Sequence, residues 1–331
     1  MNPKKILVAV SAISSLFYFS SCSKEAQPAA KPLYELYNNY SIPKFDGANA
    51  YKQVEAQVNF GPRNPGSNGH QEALDYFQSE LKKYADEVQL QNFNYPGYDN
   101  KNLSLTNIIA KFNPEKKNRI MFCAHWDTRP RAEHAFDKAD TNKPILGAND
   151  GASGCGVLLE LAKILKENKI NYGVDLVFFD GEDYGKENDL GRYCLGSKYY
   201  AANLPLSQAP AFCVLLDMVG DKKAAFEEEG NSIKFAPNIV NMIWGIAANI
   251  NAAAFSQNDG EEIYDDHIPL IQAGFTAGDI IDAGLIGDRS KDKQRDYWHS
   301  ENDTMVNISE ATLQQVGDVL TNLIYSLQFN S

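Results

Sequence analysis

Three apolar runs in this sequence lead into side chains that bind metals or move protons. RIMFCA (119–124) runs into His125-Trp126-Asp127, DLVFFD (175–180) into Gly181-Glu182-Asp183, and FCVLLDM (212–218) carries Asp217 near its end. Asn149-Asp150-Gly151 stands just before a helical pattern, Asp265-Asp266-His267 before a shorter one, and Trp298-His299-Ser300 lies near the C-terminus. Each has an ordinary explanation when read singly. An Asp before Gly at a helix start is usually a cap or turn residue, an acidic pair after a strand is usually solvated, and a lone His usually sits on the surface or in a core. Asp217 resists that reading, because a carboxylate closing so apolar a run is costly unless paired or bound to a metal. As a set these residues point to one chemistry. His and carboxylate donors without paired cysteines suit a catalytic zinc with an open position rather than a closed structural one. The carboxylates exceed what one tetrahedral ion needs, and the surplus can act as general base or hold the ligands.

Such residues need a scaffold that brings the ends of distant runs together. Short apolar runs bounded by turns read as strands buried on both faces. The stretches 88–95, 103–112 and 276–281 add further strands. Helical periodicity covers 49–58, 67–84, 153–165, the region near 237–249, 267–274 and the segment from Ser309 onward, where Leu313, Val316, Leu320, Leu323 and Ile324 form an apolar stripe. GPRNPGSNGH (61–70) is a loop by its Gly, Pro and Asn content, and 126–149 is a long loop. Strands alternating with helices predict an α/β fold, a single domain with a mixed, mostly parallel central sheet and helices on both faces. In such folds ligands gather at the carboxyl ends of strands, where the polar residues here fall.

The 331 residues, 44% of them hydrophobic, suffice for one sizeable core, and a charged content of 22% excludes wholesale disorder. A net charge of -12 with no basic block excludes a nucleic-acid backbone as the main partner. At the N-terminus, Lys4 and Lys5 precede an apolar run over 6–19 and then Ser20-Ser21-Cys22. This reads as an export signal, too short for an ordinary membrane span. Its small-small-Cys ending resembles a bacterial lipoprotein cleavage site. The expected organisation is a signal peptide over 1–21, a tether over 22–35 lipidated at Cys22, and a zinc-dependent catalytic domain over 36–331. Such a protein is exported to the bacterial periplasm and held at a membrane by its anchor. Four more cysteines follow: Cys123, Cys155, Cys194 and Cys213. Export permits disulfides, so Cys123 and Cys155 read either as a bonded pair or as two buried thiols.

The series His125-x-Asp127, Asp150, Glu182-Asp183, Asp217 and His299, with GPRNPGS upstream, resembles the zinc aminopeptidase family of exported enzymes. The resemblance runs from about Gly61 to the final helix. Within that family, FFDGED, LLDMVG, DDHIPL and YWHS are most similar to the glutaminyl-peptide cyclotransferases of the animal-type branch found also in bacteria. The resemblance implies that Asp150, Asp183 and His299 bind one catalytic zinc and that Glu182 is the general acid–base. It implies that Asp217 and Asp265 form a supporting acidic network and that Trp298 walls the substrate pocket. The implied substrate is a peptide or protein with an N-terminal Gln, cyclised to pyroglutamate with release of ammonia. Two positions depart from the animal pattern. Asp183 stands where those enzymes carry Glu, and Gln294 stands where they place an aromatic residue of the pocket.

The same residues also suit a two-zinc exported aminopeptidase. Asp150 would bridge, Asp183 and His299 would hold one ion, and His125 and Asp217 the other, with the ions about 3.5–4 Å apart. Glu182 would then activate a water. His125 is therefore a second-metal ligand in one reading and a supporting residue in the other. Asp265 and Trp298 favour the cyclase, because an extra carboxylate suits a site that handles an amine and a leaving nitrogen, and an aromatic wall suits one small side chain. A peptide-binding lipoprotein without catalysis ranks lowest, since neither a ligand nor the base is missing.

Overall fold

A six-stranded mixed sheet positions the candidate residues. The computed structural model describes residues 33–38, 41–186, 188–287 and 292–330. In chain order the strands are β1 (Tyr34–Leu36), β2 (Glu87–Pro96), β3 (Asn102–Phe112), β4 (Arg119–His125), β5 (Gly173–Phe179), β6 (Cys213–Asp217), β7 (Phe226–Glu228), β8 (Phe255–Asp259), β9 (Ala277–Ile281) and β10 (Leu327–Phe329). The helices are α1 (Gly47–Asn59), α2 (Asn68–Tyr84), α3 (Ala152–Glu167), α4 (Leu195–Asn203), α5 (Gly230–Phe235), α6 (Pro237–Ile250), α7 (His267–Gln272) and α8 (Glu310–Ser326). The main sheet runs β2-β3-β5-β4-β6-β9. β2, β3 and β5 pair antiparallel, while β5, β4, β6 and β9 are parallel. This is the single α/β domain the sequence predicts.

Period-two alternation sorts the strand side chains between two cores. Ile120, Phe122, Ala124, Val174, Leu176, Phe178, Val214 and Leu216 face the core shared with α1, α2, α3, α6 and α8. Met121, Cys123, Val177, Phe179, Cys213 and Leu215 face the smaller core shared with α4 and α7. Burial on both faces is why these strands read as continuous apolar runs. Helix starts follow local capping chemistry: Ser67 accepts the His70 N–H at 3.1 Å and Ser309 the Thr312 N–H at 3.3 Å. Because β4, β5, β6 and β9 are parallel, with His125 opposite Phe179 and Asp217 opposite Ile281, their carboxyl ends open at one edge.

One alternative left open by the sequence is decided here. Cys123 and Cys155 form no disulfide, and the four described cysteines are all free and buried. The reason is strand parity. Cys123 points into the core of α4 and α7 and contacts the Val214 carbonyl at 3.7 Å, whereas Cys155 lies on α3 across the sheet, 3.1 Å from the His125 carbonyl. The last two residues of the expected tether over 22–35, Tyr34 and Glu35, lie in β1. Tyr34–Leu36 pairs antiparallel with β10, and the Tyr34 ring packs on Phe212 and Phe329 at 5.2 and 5.9 Å. An aromatic with a core partner anchors this strand, so the domain is already in place at residue 34. The expected signal peptide over 1–21 and the lipidation site Cys22 lie outside the described residues. No helix among the described residues is long and apolar enough to cross a membrane.

Candidate active site

Five chain segments bring their polar residues together at the open edge of the sheet. β4 ends in His125 and β6 in Asp217. The turn after β5 presents Glu182 and Asp183. Asp150 precedes α3, held by a carboxylate from far along the chain: Asp303 accepts the N–H groups of Asn149 and Asp150 at 2.8 and 3.0 Å. His299 comes from the loop after β9.

The side chains form three overlapping or adjoining donor groups. His125, Asp150 and Asp217 make one, Asp150, Asp183 and His299 a second, and Glu182, Cys194 and Asp265 a third, with the donor atoms of each group within 4.8 Å of one another. His125 Nε2 lies 3.1 Å from Asp150 and 3.2 Å from Asp217. His299 Nε2 lies 3.6 Å from Asp150 and 3.4 Å from Asp183. Asp150 thus belongs to two groups. All of these except Glu182, which is half-buried, are buried. Carboxylates buried around two imidazoles are stabilised when a cation balances their charge. The Oδ2 atom of Asp183 is buried without a hydrogen-bond partner, and its donor group fits a metal ion.

Electrostatics separate the carboxyls by role. Burial alone would raise Asp183, but Arg129 and then His299 overcome it and hold Asp183 below the usual carboxylate range. Burial lowers His299, which favours the neutral imidazole that ligation needs. Burial pushes Glu182 well above its ordinary value; His125 opposes the rise, and Asp183 and Asp265 add to it. Burial and then Asp217 push Asp265 up to about 7, and burial with Asp265 pushes Asp266 up to about 8. Asp183 is therefore held charged while Glu182, Asp265 and Asp266 hold their protons more tightly than free carboxyls.

A cavity of about 80 Å³ opens onto these groups. Its walls include Asp150, Glu182, Asp183, Asp217 and Asp265 with Tyr193, Met218, Ile263, Tyr264, Ile281, Trp298 and His299. Larger clefts of about 810 and 650 Å³ elsewhere share none of these residues and hold no such donor cluster. The Trp298 ring stacks on His299 with centroids 3.5 Å apart. Gln294 is not among the cavity walls and instead accepts from Lys223 Nζ at 3.3 Å. Three non-glycine residues here, Cys194, Met218 and His299, have φ of 54°, 49° and 51°. Left-handed backbone costs of order 1–3 kcal/mol each, and such residues cluster at functional sites.

Arg129 and Arg63 escape sequence reading, whereas Asp127 is visible in the sequence but its partners are not. Arg129 Nη1 donates to Asp183 Oδ1 at 2.5 Å while its other nitrogens reach Glu133 and Tyr193. Asp127 accepts the N–H groups of Glu182 and Asp183 at 3.0 and 3.3 Å. Arg63, from the GPRNPGS loop, is fully buried and donates to the carbonyls of Trp126, Leu146 and Gly147, tying down both ends of the 126–149 loop. An Arg in a Pro/Gly loop signals nothing by itself; its three backbone acceptors lie far along the chain.

The profile of Peptidase family M28 matches residues 107–324, a span that holds every member of the three donor groups. The chain belongs to Peptidase family M28. Its relatives carry names of more than one kind. It is 30% identical over 183 residues to aminopeptidase YwaD of Bacillus subtilis, covering 54% of this chain and 37% of that one. It is 22% identical over 258 residues to the glutaminyl-peptide cyclotransferase of Bos taurus, covering 66% of this chain and 64% of that one. The chain thus spans less than two thirds of either curated relative. Among solved structures, it is similar to the glutaminyl cyclase of Bacteroides thetaiotaomicron bound to N-acetylhistamine. There the identity is 36% and the TM-score 0.81, with 86% of this chain and 99% of that chain covered.

Proposed function

We propose that this M28 protein is a glutaminyl-peptide cyclotransferase, converting the N-terminal Gln of peptides or proteins to pyroglutamate with release of ammonia. The observation that carries this reading is Asp265 beside Glu182, both on the wall of a cavity of about 80 Å³. A pocket of that size suits one small side chain. Cyclisation moves a proton from the α-amine to the departing nitrogen, and adjacent carboxyls raised above their ordinary values, Asp265 to about 7, can hold it on the way. One zinc held by Asp150, Asp183 and His299 would polarise the γ-carboxamide as a Lewis acid.

The chain's own residues supply the rest. The narrow pocket holds the Gln side chain so that its carboxamide and the α-amine meet, an advantage of proximity rather than of a new nucleophile. Glu182 takes the amine proton and returns one to the nitrogen that leaves. Asp265 and Asp217 stabilise the proton on that group. Trp298 and the isoleucines of the wall exclude water, which keeps hydrolysis from competing.

An assay of ammonia release from a Gln-initiated peptide, with a Leu-anilide in parallel, tests the proposal. Ammonia release is the expected result. Leu-anilide cleavage without ammonia would refute the cyclase. One observation favours a two-metal aminopeptidase instead: Asp150 sits between two donor groups, as a bridging ligand would. Elemental analysis separates the two readings, with about one zinc per chain expected for the cyclase and two for the peptidase.

A further inference from the structure

The third donor group has a property the catalytic reading does not use: it contains a thiol. Cys194 is fully buried and begins α4 in a left-handed conformation. Its backbone N–H donates to the Glu182 carbonyl at 2.9 Å, and the next N–H, of Leu195, donates to the Gly181 carbonyl at 3.1 Å. These two bonds lock the start of α4 against the turn that carries Glu182. The Cys194 Sγ is thereby held 3.4 Å from Glu182 Oε1.

Asp265 completes the group. It is 4% exposed. Its Oδ1 accepts the Asp266 N–H at 2.5 Å, while its Oδ2 is buried with no hydrogen-bond partner. One sulfur and two carboxylate oxygens therefore lie within 4.8 Å of one another, and none of them belongs to either donor group built on Asp150. The spacing suits a metal. Zinc–sulfur and zinc–oxygen bonds of about 2.3 and 2.0 Å at a tetrahedral angle place the two ligand atoms about 3.5 Å apart. The observed separation of sulfur and oxygen is 3.4 Å.

We infer that Glu182, Cys194 and Asp265 form a second metal site, selective for thiophilic divalent cations such as excess zinc or cadmium, whose occupation removes Glu182 from catalysis and inhibits the enzyme. A thiolate with two carboxylates suits a borderline or soft cation and disfavours magnesium or calcium. Binding displaces the thiol proton to solvent and leaves the oxidation state unchanged. Glu182, half-exposed to the cavity, gives the ion its way in. Once it is a ligand, the cation draws charge from the carboxylate and lowers its basicity toward the substrate's proton. The inhibitory consequence rests on Glu182 being the acid–base of the proposed reaction. The metal site itself does not.

Cadmium tests the site, because only a sulfur ligand gives the ultraviolet thiolate-to-cadmium charge-transfer band. The zinc-reconstituted full chain is titrated with cadmium while the band and turnover are followed together. The wild-type band should exceed that of Cys194→Ala by one thiolate per chain. Asp265→Asn, which keeps the sulfur, should weaken the cadmium dependence of the band by at least about tenfold. Turnover should fall in step with the band, whereas magnesium and calcium should change neither. Equal bands in wild type and Cys194→Ala, or equal affinity in Asp265→Asn, would overturn the site. A full band with undiminished turnover would overturn its inhibitory role. If the Gln-initiated peptide is not a substrate but the band behaves as expected, the cyclase reading fails and the metal site stands.

Discussion

Glu182 sits where burial and neighbouring carboxyls favour its protonated form while His125 opposes them. Such a balance suits a group that both takes and returns a proton, the role proposed for Glu182. Glu182→Gln keeps the shape and removes the base. It should lower kcat by about 10²–10⁴-fold with zinc content unchanged, as read by kinetics and elemental analysis on the same preparation; near-normal turnover contradicts the role. Arg129 acts one step away, by holding the Asp183 carboxylate that faces His299. Arg129→Met should weaken zinc binding by about 10–100-fold in a chelator competition, and unchanged affinity would show that Asp183 needs no such support. The two residues differ in how they read from sequence. Glu182 and Asp217 stand out because a carboxylate at the end of an apolar run is expensive unless used. Arg129 lies in a loop with several other charges, and nothing local tells which carboxylate it meets.

At the scale of elements, the site depends on how closely α3 lies on the sheet, since Asp150 rides just ahead of it. A Cβ on Gly154 would run into the Leu216 carbonyl and come within 2.9 Å of the Ala124 Cβ. Gly154→Ala should therefore push α3 off β4 and β6. The expected loss is about 1–3 kcal/mol of stability together with weaker zinc binding, measured by denaturant melts and metal titration; wild-type stability would mean that the helix has slack. The elements that present chemistry were the legible ones. β4, β5 and β6 are apolar throughout because both faces are covered, and α2 and α8 carry serine caps that the sequence displays. α4 was missed, because its residues show no apolar stripe and only its buried neighbours make it a helix. The pairing of β1 with β10 was missed for another reason. Each strand has three residues, and their register is fixed by contacts between the two ends of the domain. Strand parity, not spacing, decided the cysteines: two thiols near one site proved to lie on opposite faces.

Across the whole molecule, the acidic balance matters less on the surface than in the interior around the site. Burial pushes Asp265 up to about 7, Asp266 to about 8 and Asp282 to about 7, from an ordinary 3.8. Their folded-state values lie above their unfolded ones. The folded chain therefore binds more protons than the unfolded chain between about pH 4 and 8, and its stability falls as pH rises through that window. Metal-stripped protein should accordingly melt at a lower temperature at pH 8 than at pH 6. Added zinc should narrow the gap, since its ligands must be deprotonated and its charge relieves theirs. A melting temperature independent of pH would contradict this picture of the interior. The central claim is that the substrate's own amine, and not water, attacks within the site. The measurement that tests it most directly is mass spectrometry of a Gln-initiated peptide turned over in heavy-oxygen water. Cyclisation predicts a product lighter by one ammonia with no solvent oxygen in it, whereas a peptide shortened by one residue, with the heavy oxygen in the carboxylate of the released glutamine, would contradict it.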